Sequence, residues 1–126
     1  MGLFSRRKAS SKGTHRMLLV KDSRVKHVPT SSFGMDLVQE VSRLLGSEHI
    51  RSTKLSDDLT LWYAEDEPGR ARPGTPNPAA SRLAAEHGSS PVTVTGPAVV
   101  TGGMLHGTPY PLDVDEAARI ATHLDG

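Results

Sequence analysis

At 126 residues the chain has room for one ordinary domain, and it contains no cysteine, which excludes disulfides, thiol nucleophiles and thiolate metal sites. Leu, Ile, Val and Phe make up about 21% of the residues, just above the level of roughly 20% at which disorder becomes the default, so the expected core is small. The net charge of +1 hides a split: residues 1–27 carry eight Lys or Arg against Asp22 alone (+7), while the rest of the chain carries seven basic and thirteen acidic side chains (−6).

No apolar run approaches the ~20 residues of a membrane span, and the first residues lack the apolar middle of a secretory signal, so a cytoplasmic protein without a membrane segment is expected. The opening MGLFSR is close to a myristoylation start, but Arg6 stands where that pattern requires Ser or Thr. Residues 1–16 mix basic side chains with Ser, Gly and Ala and show no periodicity; a disordered basic tail is expected there, with a single α+β domain over 17–126.

Order is expected from Met17. The apolar run Met17 to Val20, the turn pair Asp22 and Ser23, and the alternation of Arg24 to Val28 read as a β-hairpin. Ser31 or Ser32 is positioned to cap a helix whose Leu37, Val38, Val41, Leu44 and Leu45 fall on one stripe, and Gly46 ends it in the left-handed conformation. His49 to Leu55 reads as a polar, edge-type strand, and Leu59 to Ala64 as a more apolar one, with Leu59, Leu61 and Tyr63 on one face and Thr60, Trp62 and Ala64 on the other.

Glu65 to Thr75 is rich in Pro, Gly and charge and reads as a long loop. Asn77 then caps a helix that Pro78 starts and Gly88 closes. Val92 to Thr95 and Ala98 to Thr101 are strand-like, interrupted by Gly96 and Pro97, and Gly102 to Pro111 reads as loop. Asp113, with Glu116 three positions on, caps a terminal helix with Ala117, Ile120, Ala121 and Leu124 inward. The expected fold is α+β: a small, mainly antiparallel sheet with two or three helices in the order ββ-α-ββ-α-β(β)-α.

The opening strand at Met17, the helix ending at Gly46, Trp62 and Tyr63, the acidic run Glu65 to Glu67 before Gly69, the segment Asn77-Pro78-Ala79-Ala80, and the strand Gly96 to Thr101 together resemble the bacterial and phage family known as domain of unknown function 3846. The similarity spans Met17 to Gly103. It implies a small accessory domain associated with phage or other mobile elements, and it transfers no catalytic residue.

Chemistry-bearing motifs are sparse. None of the six histidines pairs with another at helical spacing, no phosphate-cradle or nucleophile-elbow motif occurs, and the acidic run reads as a solvated turn, so no metal, no cofactor and no enzyme activity are expected. The leading expectation is a protein-binding module whose candidate surface comprises Trp62, Tyr63, Arg70, Arg72 and Asn77, since an exposed Trp or an open helix start beside arginines would mark a partner site. The alternative is nucleic-acid association through the tail residues Arg6, Arg7, Lys8, Lys12 and Arg16.

Overall fold

Strand pairing and burial together explain why the most apolar strand is apolar on both faces. The computed structural model describes residues 15–21, 24–67, 70–71, 73–87 and 94–125. In chain order the elements are β1 (His15–Lys21), β2 (Arg24–Pro29), α1 (Gly34–Leu45), β3 (Ile50–Ser56), β4 (Leu59–Glu67), β5 (Arg70–Ala71), α2 (Pro78–Glu86), β6 (Ala98–Thr101), β7 (Met104–Leu105), β8 (Thr108–Pro109), β9 (Leu112–Asp113) and α3 (Val114–Asp125). The main sheet runs β2-β1-β6-β4-β3, every pairing antiparallel, with β5 added to β4 and β9 to β1. Three helices on an antiparallel sheet make this an α+β fold.

β4 lies inside the sheet, and Leu59 to Ala64 are all buried. Its alternate residues enter two separate cores. Leu59, Leu61 and Tyr63 pack with Leu18, Val20 and Val100 under Ala80, Leu83 and Ala84 of α2 and Ala117, Ile120, Ala121 and Leu124 of α3. Trp62 and Ala64 pack with Met17 and Val99 under Leu37, Val41 and Leu45 of α1. Helices therefore cover both faces. Trp62 and Tyr63 are thus both buried, whereas helices on one face only would have buried one of them and left the other on the opposite side.

α1 joins opposite edges of the sheet, because β2 and β3 are the two outer strands. It leaves β2 at Pro29, opposite Arg16 near the start of β1, and meets β3 at Ile50, opposite Ala64 at the far end of β4. The helix thus crosses its face on the diagonal and leaves two opposite corners bare. One is formed by β1 and β2 around Lys21, Arg24 and Lys26; the other by β3 and β4 around Ser52, Lys54 and Thr60.

Several local details differ from the sequence reading. β1 begins at His15, so Arg16 is a half-buried strand residue rather than part of a tail. α1 starts at Gly34 after Phe33, which makes no side-chain cap bond. The nearby hydroxyls are drawn instead to Glu40: Thr30 Oγ1 donates to Glu40 Oε1 at 2.8 Å, and Ser32 Oγ donates to Glu40 Oε2. Gly46 ends α1 at φ 67°, where a side chain would be strained.

The region expected as a loop from Glu65 is partly strand, because β4 continues to Glu67 and β5 pairs back onto it. α2 ends at Glu86 with His87 as its cap, and Gly88 lies outside the described residues. Val94 is buried, Thr95 bridges to Pro76, and the chain bends at Gly96 (φ 75°) before β6. Gly102 to Pro111 is not all loop: β7 and β8 form a hairpin whose turn residues His106 and Gly107 have φ of 53° and 80°. Two successive positive φ values match the twist of the flanking strands. Asp113 Oδ1 accepts from the Glu116 N–H at 2.8 Å and caps α3.

Candidate interaction surface

Of the five residues expected at a partner surface, Trp62, Tyr63 and Asn77 are buried, and the Arg70 and Arg72 side chains lie outside the described residues. Trp62 is 5% and Tyr63 8% exposed, and they point into different cores. The indole Nε1 of Trp62 donates to Thr101 Oγ1 at 2.8 Å, and the Thr101 hydroxyl donates to the Gly102 carbonyl at 3.1 Å, so the polar edge of the ring is satisfied inside the sheet. The backbone of Arg70 belongs to β5, in register with Glu67, and Arg72 lies outside the described residues.

Asn77 is buried and its side chain is saturated. Its amide donates to the carbonyls of Val20 (3.0 Å) and Gly96 (2.8 Å), while Oδ1 accepts from the Ala80 N–H (3.3 Å) at the start of α2. The backbone N–H of Asn77 donates to Val94 at 2.8 Å, and its carbonyl accepts from Ser81 at 3.1 Å. An amide engaged in this way joins β1, the 94–96 segment and α2, and it has no donor left to offer an anion. Of the tail residues, Arg6, Arg7, Lys8 and Lys12 lie outside the described residues.

What the structure does expose is an apolar surface elsewhere. Phe33, Met35, Met104 and Leu105 are the large hydrophobic residues left exposed among the described residues, at 51%, 69%, 40% and 65%. All four lie in two segments, the start of α1 and the β7–β8 hairpin, and these segments touch. A Cβ placed on Gly34 would stand 3.5 Å from Thr108 Cγ2, and Thr108 is the cross-strand partner of Leu105. Directly opposed residues share a face of a hairpin, so Leu105 projects on the same side as Thr108, the residue that approaches Gly34 between Phe33 and Met35. Met104 lies on the other side and borders a depression of about 490 Å³ with Ser52, Lys54, Ser56, Asp57 and Thr60.

The Phe33 ring meets the His15 ring edge-on, with centroids 5.6 Å apart, and in the sequence His15 is preceded by Arg6, Arg7, Lys8 and Lys12. The hairpin had a legible signal, a residue followed by Gly between Leu105 and Thr108. The exposure of Phe33 and Met35 had none, because an apolar residue at a helix start is equally compatible with a buried staple.

A second cluster lies between α2 and α3. His123 Nε2 is 2.6 Å from Glu86 Oε1, and Arg82 Nε is 3.9 Å from Glu86 Oε2. The hydrogen bond to His123 is the main influence holding the Glu86 carboxyl below its ordinary range, with smaller contributions from the charges of His123, Arg82 and His87. His87 Nδ1 donates to the Leu83 carbonyl at 3.0 Å, since a carbonyl oxygen only accepts. These groups, with Leu59, Leu83, Arg119 and Ile120, line a groove of about 430 Å³. The Glu86–His123 contact ties α2 to α3 across this groove. No group of three or more His, Asp or Glu that could hold a metal ion occurs among the described residues, and no helix among them is long and apolar enough to cross a membrane.

Compared with family models, with curated proteins and with solved structures, the chain finds no match.

Proposed function

We propose that this chain is a non-enzymatic accessory domain that binds another protein through the surface formed by Phe33, Met35 and Leu105, with Met104 at its margin. The observation that carries the reading is that the large exposed hydrophobic residues fall in two touching segments instead of being scattered. Single exposed apolar residues are normal, whereas a contiguous group marks an interaction site. The reading keeps the accessory role that the family resemblance implies and moves its surface from the β4 face to the α1 start and the β7–β8 hairpin.

Charge narrows the partner. The chain entering at His15 is basic, so a partner presenting apolar side chains within acidic surroundings is complementary to the apolar surface and its approach. Acidic side chains on such a partner would act mainly on the association rate and on specificity, and the apolar contacts would supply the core of the interface.

The experiment is photocross-linking in the native host from probes placed at positions 35 and 105, compared with a Met35→Asp/Leu105→Asp variant. The same partner should cross-link from both probes, carry acidic residues at the cross-linked site, and disappear from co-purification with the variant. Cross-links to a second copy of the chain, recovery in the anionic lipid fraction without a protein adduct, or unchanged co-purification of the double variant would each overturn the reading.

A further inference from the structure

The β1–β2 hairpin closes on two cations. Lys21 and Arg24 stand directly opposite each other in the antiparallel register, and Lys26 stands opposite Leu19 on the same face. Opposed residues of an antiparallel pair have Cβ atoms about 5 Å apart, and like charges at that spacing work against strand pairing. The packing of the strands does not call for them. The apolar residues of both hairpin faces supply the packing: Val20 and Val25 on the other face, and Met17, Leu19 and Val28 further along the same face, under α1.

All three cations are exposed, and none makes an ion pair with another described residue. With Leu19 they line an open depression of about 510 Å³, at the corner that the diagonal course of α1 leaves uncovered. Asp22, which lies between Lys21 and Arg24 in the sequence, reduces the formal charge of residues 21–26 from +3 to +2. Three cations thus stand together on one exposed corner.

We infer that this corner binds the phosphate backbone of duplex nucleic acid, a role separate from the apolar surface. Exposed cations with no ion pair among the described residues are the groups that exchange condensed counterions on a polyanion. The corner has no aromatic residue on which bases could stack: Trp62 and Tyr63 are buried, Phe33 contacts His15 at the other end of β1, and Tyr110 packs near Gly102 and Gly103. Contact is therefore with phosphates and is independent of sequence. A lipid surface fits less well, because the exposed apolar side chains that would insert into it lie at the opposite end of the sheet.

Fluorescence anisotropy with the full chain and a labelled duplex of about 20 base pairs, over about 50 to 200 mM salt, tests this. The Lys21→Gln/Arg24→Gln/Lys26→Gln variant should bind at least about tenfold more weakly near 0.1 M salt and lower the slope of log K against log salt by about 2 to 3. Its thermal midpoint should be unchanged or higher, because the repulsion between Lys21 and Arg24 is relieved. Lys26→Gln alone should lower the slope by about 1. The Arg6→Gln/Arg7→Gln/Lys8→Gln/Lys12→Gln variant should retain the part of the slope that the corner supplies. The inference is overturned by absence of duplex binding, by a slope that only the N-terminal substitutions change, by a lower thermal midpoint of both corner variants, or by preferential binding to phosphatidylserine vesicles at equal phosphate concentration.

Discussion

The side-chain amide of Asn77 donates a 3.0 Å hydrogen bond to the carbonyl of Val20, fifty-seven residues earlier in the chain. The same amide nitrogen reaches Gly96, and the oxygen of the side chain caps α2. Replacing it with Ala removes the cap and leaves buried carbonyls short of a donor; each lost element is worth about 1 kcal/mol or more, so a total loss of about 2 to 4 kcal/mol in chemical denaturation is expected. Asn77→Asp separates the two roles. The carboxylate still caps the helix but can donate to neither carbonyl, so it should recover little of the loss at neutral pH.

Thr101 supports Trp62 in a similar way. Thr101→Val keeps the shape of the side chain but leaves the buried Trp62 Nε1–H without its acceptor. The expected cost is about 1 to 3 kcal/mol, read from the denaturation midpoint together with a shift in the Trp62 fluorescence maximum. An unchanged midpoint would mean that the indole finds another acceptor.

Gly103 is required by close approach and not by its backbone angles. A Cβ at this position would lie 1.9 Å from the Asp57 carbonyl oxygen, a backbone atom in the β3–β4 turn. Gly103→Ala should therefore force the β6 end and that turn apart, at a cost of about 2 kcal/mol or more. Gly46→Ala has open space around its Cβ and meets only the left-handed φ of 67°, so its smaller cost, about 1 kcal/mol, makes it the matched control.

The Glu86–His123 contact has a signed pH dependence. The folded chain holds the Glu86 carboxyl below its ordinary range, chiefly through the hydrogen bond to His123. The contribution is therefore fully present above the ordinary carboxylate value and is lost as pH falls through the lowered one. In a carboxyl-detected NMR titration, His123→Ala should move the Glu86 midpoint upward toward the ordinary value, and it should lower stability above that value while leaving it little changed where the carboxyl is protonated. A midpoint that does not move would show that His123 is not the cause.

The terminal helix illustrates what is legible from local pattern. Ala117, Ile120, Ala121 and Leu124 were readable as its inner stripe because a helix repeats every 3.6 residues, and all four are buried. Asp113 as its cap, Asn77 as the cap of α2 and Gly46 as the end of α1 were readable for a related reason: capping joins a side chain or a backbone angle to groups within one turn. The exposed apolar group was not legible. Phe33 and Leu105 are far apart in the chain, and only the packing of Gly34 against Thr108 brings their segments together.

By itself, then, the sequence determined the elements, their inward faces and the concentration of positive charge before residue 27, since each depends on neighbours a few positions away. The tertiary structure decided how those faces are shared. Trp62 and Tyr63 are both core because α1 covers one side of β4 while α2 and α3 cover the other, and the number of layers on a sheet does not follow from the alternation within a strand. It also decided that α1 crosses from one outer strand to the other, which leaves Lys21, Arg24 and Lys26 uncovered while Trp62 is enclosed. That outcome depends on strand order, a property of contacts between distant residues.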